Sequence, residues 1–119
     1  MIEKVNIAYK DAISLAEETR TYIEGNLRVH SHESNNEALN TIKAMGRVTY
    51  LLTSIISFLL LSKAYQNGEV TKDKVIESSD ALLPEILKKE KYSDISKDVK
   101  DIVKKLEGLS KKVKEIIIN

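Results

Sequence analysis

The 119-residue sequence contains no cysteine, one proline, four glycines and a single phenylalanine. Without cysteine the chain has neither disulfide bonds nor thiolate chemistry, which suits a reducing compartment, and we expect a cytoplasmic protein. So few prolines and glycines leave little to interrupt a helix, and the abundance of Lys, Glu, Leu, Ile and Ala favours helix formation. The composition therefore predicts an all-α protein.

An excess of charge of one sign is also lacking. Nineteen Lys and Arg residues against eighteen Asp and Glu residues leave a formal net charge of +1. Such a surface lacks the field that concentrates phosphates, so we expect no nucleic-acid partner. The lysine-rich stretch from Lys97 to Lys114 is interrupted by acidic residues and has no aromatic residue, which favours a solvated helix face over a surface for nucleic acid or anionic lipid.

Apolar residues at spacings of three and four predict helices over most of the chain. The first runs from Ile2 to Glu24, and the longest from about Asn36 to Gln66. A minor helix from Lys72 to Leu82 is expected to break near Pro84, because the residue before a proline disfavours the α conformation. In the last helix, Ile95 to Ile118, the apolar spacing alternates strictly between four and three, which predicts knobs-into-holes packing.

The segment "RVTYLLTSIISFLLLSK", Arg47 to Lys63, has fifteen interior residues without charge. They span only about 22 Å as a helix, whereas the hydrocarbon core of a membrane is about 30 Å thick. Six of the fifteen carry hydroxyl groups. The central helix of a bundle is therefore favoured over a membrane span, and we expect no membrane partner.

This central helix carries two apolar seams and must be covered on two sides. We expect residues 1–119 to form one domain, a bundle of three or four helices around the long central helix. The surplus seam predicts a homodimer, since monomers rarely expose large contiguous apolar patches. The residues assigned to the dimer or partner interface are Val48, Leu51, Ile55 and Phe58.

Candidate chemistry is sparse. His30, His32 and Glu33 lie close together in a connector, but too few further ligands accompany them for a metal site. A phosphotransfer-type domain would need a histidine on a helix, so this alternative is disfavoured. The adjacent Glu17 and Glu18 point about 100° apart on a helix and do not converge on a substrate. We therefore predict no enzymatic activity, no metal and no cofactor.

Arg47 stands at the start of the uncharged segment of a helix that is covered on two sides. An arginine there must reach solvent or pair with a carboxylate. In an antiparallel hairpin of the first two helices, Glu17 or Glu18 lies near its level. We predict an ion pair that sets the helix register, with a partner-binding role as the alternative.

Two segments resemble a known family. They are "AYKDAISLAEETRTYIEG" (Ala8 to Gly25) and "GRVTYLLTSIISFLLLSKAYQNGEVT" (Gly46 to Thr71), and together they resemble the alphaproteobacterial family typified by the regulator of CtrA degradation, RcdA. The resemblance implies a dimeric three-helix bundle without enzymatic activity. It also implies a protease adaptor that works with ClpX, ClpP and other adaptors in cell-cycle control. A structural helical bundle without a protease link is the alternative.

Overall fold

The computed structural model describes residues 2–26, 35–88, 90–92 and 95–118. These residues form four α-helices and no β-strand: α1 (Ile2–Asn26), α2 (Asn35–Gln66), α3 (Lys72–Leu87) and α4 (Lys97–Ile118). The prediction of an all-α bundle with a long central helix is confirmed.

Helix ends follow local capping signals. The backbone N–H of Glu69 donates to the carbonyl of Ala64 at 2.9 Å, around Gly68 with φ of 74°. This is the left-handed turn that closes the carbonyl end of a helix, and glycine adopts it without steric cost. At the start of α4, the N–H of Val99 donates to the Ser96 hydroxyl at 3.4 Å. Ser96 therefore caps α4, which begins two residues after the predicted Ile95.

The predicted end of α3 at Leu82 is wrong, because α3 continues through Pro84 to Leu87. A proline inside a helix removes one backbone donor and disfavours the preceding turn. Here tertiary packing outweighs that cost: Leu82 is buried, and Ile86 packs against the same core. The N–H of Lys88 then donates to the carbonyl of Pro84 at 3.2 Å and completes the last turn.

α1 runs antiparallel to both α4 and α2, so α2 and α4 are parallel to each other. Lys105 Nζ of α4 bonds Glu18 of α1 at 2.8 Å, and Lys112 pairs with Asp11, so these two helices have opposite directions. Lys63 near the end of α2 lies over the ring of Tyr9, 4.5 Å from its centroid. α3 packs mainly on α2 and less on α4.

One apolar core joins the four helices. Every apolar heptad position of α4 from Val99 to Ile116 is buried, so its predicted packing is satisfied within the chain. The buried apolar residues are Val5, Ala8, Ala12, Leu15, Ala44, Met45, Val48, Leu51, Leu52, Ile55, Phe58, Leu59, Leu82, Ile95, Val99, Ile102, Leu106, Leu109, Val113 and Ile116.

The four residues predicted to face a second subunit belong to this core. Val48, Leu51, Ile55 and Phe58 are at most 6% exposed in the single chain. The expectation that they form an accessible interface is wrong, because three helices, α1, α3 and α4, all pack on α2. The surplus seam is covered within one chain.

Residues Ala38–Gln66 of α2 are long and apolar enough to cross a membrane by length and composition alone. The core helix of a soluble protein meets the same criteria. The packing of α1, α3 and α4 on this helix is the arrangement expected of a bundle core.

Candidate protein-interaction surfaces

Arg47 joins α2 to the end of α3. Its Nη1 donates to Glu85 Oε2 at 2.8 Å, and its Nη2 donates to the backbone carbonyl of Glu85 at 2.7 Å. The side chain is only 13% exposed, and its guanidinium lies 6.0 Å from the centroid of the Tyr50 ring. A planar guanidinium can hold a carboxylate and a carbonyl together, which a lysine cannot do.

Two residues beyond α3 extend this cluster. Glu90 Oε1 lies 4.0 Å from Arg47 Nε, and the Tyr92 hydroxyl donates to Glu90 Oε2 at 2.7 Å. The hydrogen bond and charge of Arg47 hold the pKa of Glu85 below its ordinary value. Partial burial, together with Glu90, raises the pKa of Tyr92 to about 12. The cluster thus fastens the end of α3, together with Glu90 and Tyr92, onto α2.

The predicted partners of Arg47 were wrong. The structure pairs it with Glu85 and Glu90, while Glu18 of α1 pairs with Lys105 of α4 and Glu17 is exposed. The predicted end of α3 at Leu82 left Glu85 outside any helix. A helix that continues through Pro84 includes Glu85 and makes it a candidate partner for α2.

The side of α2 that faces away from the core carries an exposed stripe. Leu39, Ile42 and Leu60 are 51%, 59% and 47% exposed. Between them the residues at the same spacing are small or half-buried. The α2 stripe consists of Leu39, Ile42, Gly46, Thr49, Thr53, Ile56 and Leu60, with Tyr50 beside its centre. Its spacing of three and four is that of a helix-packing seam. This spacing is visible in the sequence, but the interface predicted from the sequence lies on a different face of the same helix.

The hydroxyl groups of Thr53, in the stripe, and Ser57, beside it, are satisfied within α2. Thr53 Oγ1 donates to the carbonyl of Thr49 at 2.8 Å, and Ser57 Oγ donates to the carbonyl of Thr53 at 2.9 Å. These hydroxyl donors need no further partner if the face is covered. A Cβ added at Gly46 would meet nothing within 4 Å, so packing within the chain does not account for this glycine.

A second concave surface lies between α1 and α4. The exposed Ser14 and Gly108 line it, and the buried Leu15 and Leu109 form its floor. The ion pair of Glu18 with Lys105 closes one end, and the pair of Asp11 with Lys112 closes the other. We call this the α1–α4 socket; its volume is about 370 Å³.

The remaining sequence candidates are the histidine-containing connector and the lysine-rich stretch. His30, His32 and Glu33 lie outside the described residues. Within the part of the chain that the structure describes, no three His, Cys, Asp or Glu side chains group so as to hold a metal ion. Lys105 and Lys112 of the lysine-rich stretch contact α1, while Lys97 and Lys104 lie on the exposed side of α4.

These features define a small helical-bundle protein whose candidate sites are surfaces for other proteins. The chain belongs to the family described as protein of unknown function DUF1465, whose model matches residues 2–117. This agrees with the RcdA-like family identified from the two sequence segments, and that prediction is confirmed.

The fold is similar to a solved structure of RcdA from Caulobacter crescentus CB15, with a TM-score of 0.75 and 20% sequence identity. The similarity covers 94% of this chain and 86% of that chain. At this level of identity the similarity concerns the fold. A comparison with curated proteins gave no match.

Proposed function

We propose that the protein is a non-enzymatic adaptor of the RcdA type, which binds ClpX and assists ATP-dependent proteolysis by ClpXP in the cytoplasm. The observation that carries this proposal is the similarity to the RcdA fold along nearly the whole chain. The segments Ala8 to Gly25 and Gly46 to Thr71, which resemble the family, form most of α1 and α2 and the turn that follows α2. An adaptor acts through surfaces, and both candidate sites are surfaces.

The same proposal includes a homodimer, with the α2 stripe as its interface. A two-fold interface places the same patch of both subunits in contact. If two copies of α2 cross antiparallel between Thr49 and Tyr50, Leu39 lies opposite Leu60 of the second copy. Gly46 then lies opposite Thr53. The larger apolar residues meet at both ends, while small residues at the centre let the helix axes approach closely.

This arrangement supplies a reason for two features that one chain leaves unexplained. Gly46 lowers the helix propensity of α2 by about 1 kcal/mol relative to alanine, and the second helix would use the space it leaves. The stripe extends over about 32 Å of helix, which gives two copies a continuous contact along the long axis of the molecule.

Binding of purified ClpX to the immobilised chain tests the adaptor role. We expect retention of ATP-loaded ClpX from the same organism, and no retention of the related unfoldase ClpA, which serves as the control. A failure to retain ClpX in a preparation that is folded by circular dichroism would contradict the adaptor proposal. It would favour a structural helical bundle without a protease link.

A further inference from the structure

The α1–α4 socket has an arrangement of charge that the core does not require. Both acidic residues of its rim, Asp11 and Glu18, belong to α1, and both basic residues, Lys105 and Lys112, belong to α4. Their side chains are between 42% and 58% exposed, so each retains room for a further partner. One wall of the socket is therefore acidic and the opposite wall is basic.

Gly108 is the second unexplained feature. It lies in the middle of α4 with helical backbone, where glycine is the poorest helix former after proline. A Cβ at this position would meet nothing within 4 Å. Among the described residues no neighbouring group demands a glycine, and Gly108 lines the socket together with Leu109.

The dimensions of the rim match a helix that packs on α1 and α4 together. The two ion pairs are seven residues apart on each helix, which is about two turns. Consider a helix that inserts one side chain between the two ion pairs. Its residues three and four positions before and after the inserted residue then lie above the ion pairs. This is the geometry of a knob entering a hole between packed helices.

We propose that the α1–α4 socket binds a helix of a partner protein that inserts one large apolar side chain, with basic residues on one flank and acidic residues on the other. The basic flank lies along Asp11 and Glu18, and the acidic flank along Lys105 and Lys112. The apolar side chain rests on Leu15 and Leu109. This inference does not depend on the protease link.

The charges also determine the direction of the bound helix. Turning a helix end over end about its central side chain exchanges its two flanks. A partner with exchanged flanks therefore binds in the opposite direction, whereas one with two acidic flanks meets repulsion from Asp11 and Glu18 in either direction. This dependence of direction on charge distinguishes the socket from a nonspecific apolar patch.

Synthetic alanine-rich helical peptides of about 20 residues provide the probe. The first has a central leucine, lysines at positions three before and four after it, and glutamates at positions four before and three after it. The second exchanges lysine and glutamate, the third has glutamate on both flanks, and the fourth has alanine in place of leucine. Binding to the isotope-labelled full chain is followed by NMR chemical shifts.

We expect the first and second peptides to shift amide signals around Ser14 and Gly108, with Kd values within about twofold of each other and in the range of about 0.1–1 mM. The third and fourth peptides should bind at least about 10-fold more weakly. A nitroxide at the amino terminus of the first peptide should broaden the amide signals near one of the two ion pairs. The same label on the second peptide should broaden the amide signals near the other ion pair.

Variants of the protein supply the matched controls. Gly108→Leu fills the socket and should weaken the first peptide at least about 10-fold, whereas Lys104→Leu, on the same helix outside the rim, should leave its Kd within about twofold. Circular dichroism checks that both variants fold, and the leucine-to-alanine peptide tests the knob without altering the protein. The proposal is overturned if no peptide binds at about 1 mM, if the alanine peptide binds as tightly, or if Gly108→Leu has no effect.

Discussion

Arg47 of α2 and Glu85 of α3 are joined through both a side chain and the backbone. The guanidinium donates to the carboxylate at 2.8 Å and to the carbonyl of the same residue at 2.7 Å. The carbonyl belongs to the last turn of α3, where helix carbonyl groups commonly lack a donor from the helix itself. Arg47 thus serves as a cap for α3 as well as an ion-pair partner.

Substitution of Arg47 should therefore destabilise the protein more than loss of a surface ion pair. We expect Arg47→Ala to lower Tm by on the order of 5–10 °C, and Arg47→Lys to lower it by less, since lysine keeps the charge but not the double contact. Thermal unfolding followed by circular dichroism measures the effect. Arg20→Ala is the control, because the Arg20–Glu24 pair is 3.8 Å long and largely exposed, and its loss should change Tm by less than about 2 °C. Equal effects of the two alanine variants would refute a special role for Arg47.

Glu85 should make stability depend on pH on the acid side. Its pKa in the folded protein is below the ordinary value of 4.5, chiefly because Arg47 donates a hydrogen bond to its carboxylate. The stabilisation is therefore present above pH 4.5 and is lost as the pH falls through the lowered pKa. Thermal unfolding between about pH 3 and pH 7 should show a smaller loss of Tm in Glu85→Gln than in the wild type. Parallel curves would contradict this assignment.

Phe58 should contribute to folding because it belongs to the core of one chain. It is 2% exposed, and Phe58→Ala is expected to cost about 3–5 kcal/mol in the free energy of unfolding. Ile76→Ala, at a side chain 45% exposed on α3, should cost less than about 1 kcal/mol. Urea denaturation measures both. A Phe58→Ala variant with wild-type stability but altered oligomeric state would instead restore Phe58 to a subunit interface.

The α2 stripe should pair two copies of the chain at tens of micromolar. Because the chain has no cysteine, Thr49→Cys introduces a single thiol beside the expected two-fold axis. Mild oxidation should give a disulfide-linked species at twice the 13.4 kDa chain mass. Lys114→Cys, on the exposed side of α4, should remain monomeric on a denaturing gel.

The direction of pairing is tested by a mixture of two variants. Gly46→Cys and Thr53→Cys should form a disulfide between unlike chains when mixed, whereas each alone should cross-link poorly. In a parallel pair Gly46→Cys alone would cross-link. Sedimentation of the wild-type chain as a monomer under these conditions would remove the homodimer from the proposed function.

α2 should remain covered by protein and not by lipid. We expect the expressed protein to stay in the supernatant after centrifugation of membranes, and any adsorbed fraction to be released by alkaline carbonate. A fraction that sediments with bilayers and resists carbonate would show that the apolar length of α2 serves as a membrane span.

The sequence alone determined the features that depend on neighbouring residues. Helix formation, the end of α2 at Gln66 and the apolar periodicity of α4 all follow from contacts within a few turns, and a short segment contains that information. The family was likewise recognisable from two continuous segments in α1 and α2. These predictions required no knowledge of how the helices are arranged.

Only the tertiary structure decided which apolar seam is covered and which charges meet. Phe58 and Leu60 lie two positions apart with similar hydrophobicity, yet one is buried and the other exposed, because coverage depends on where α3 and α4 pack. The partner of Arg47 lies 38 residues away, beyond a proline that the bundle accommodates. Packing and ion pairing between helices depend on distances in space, which local periodicity does not contain.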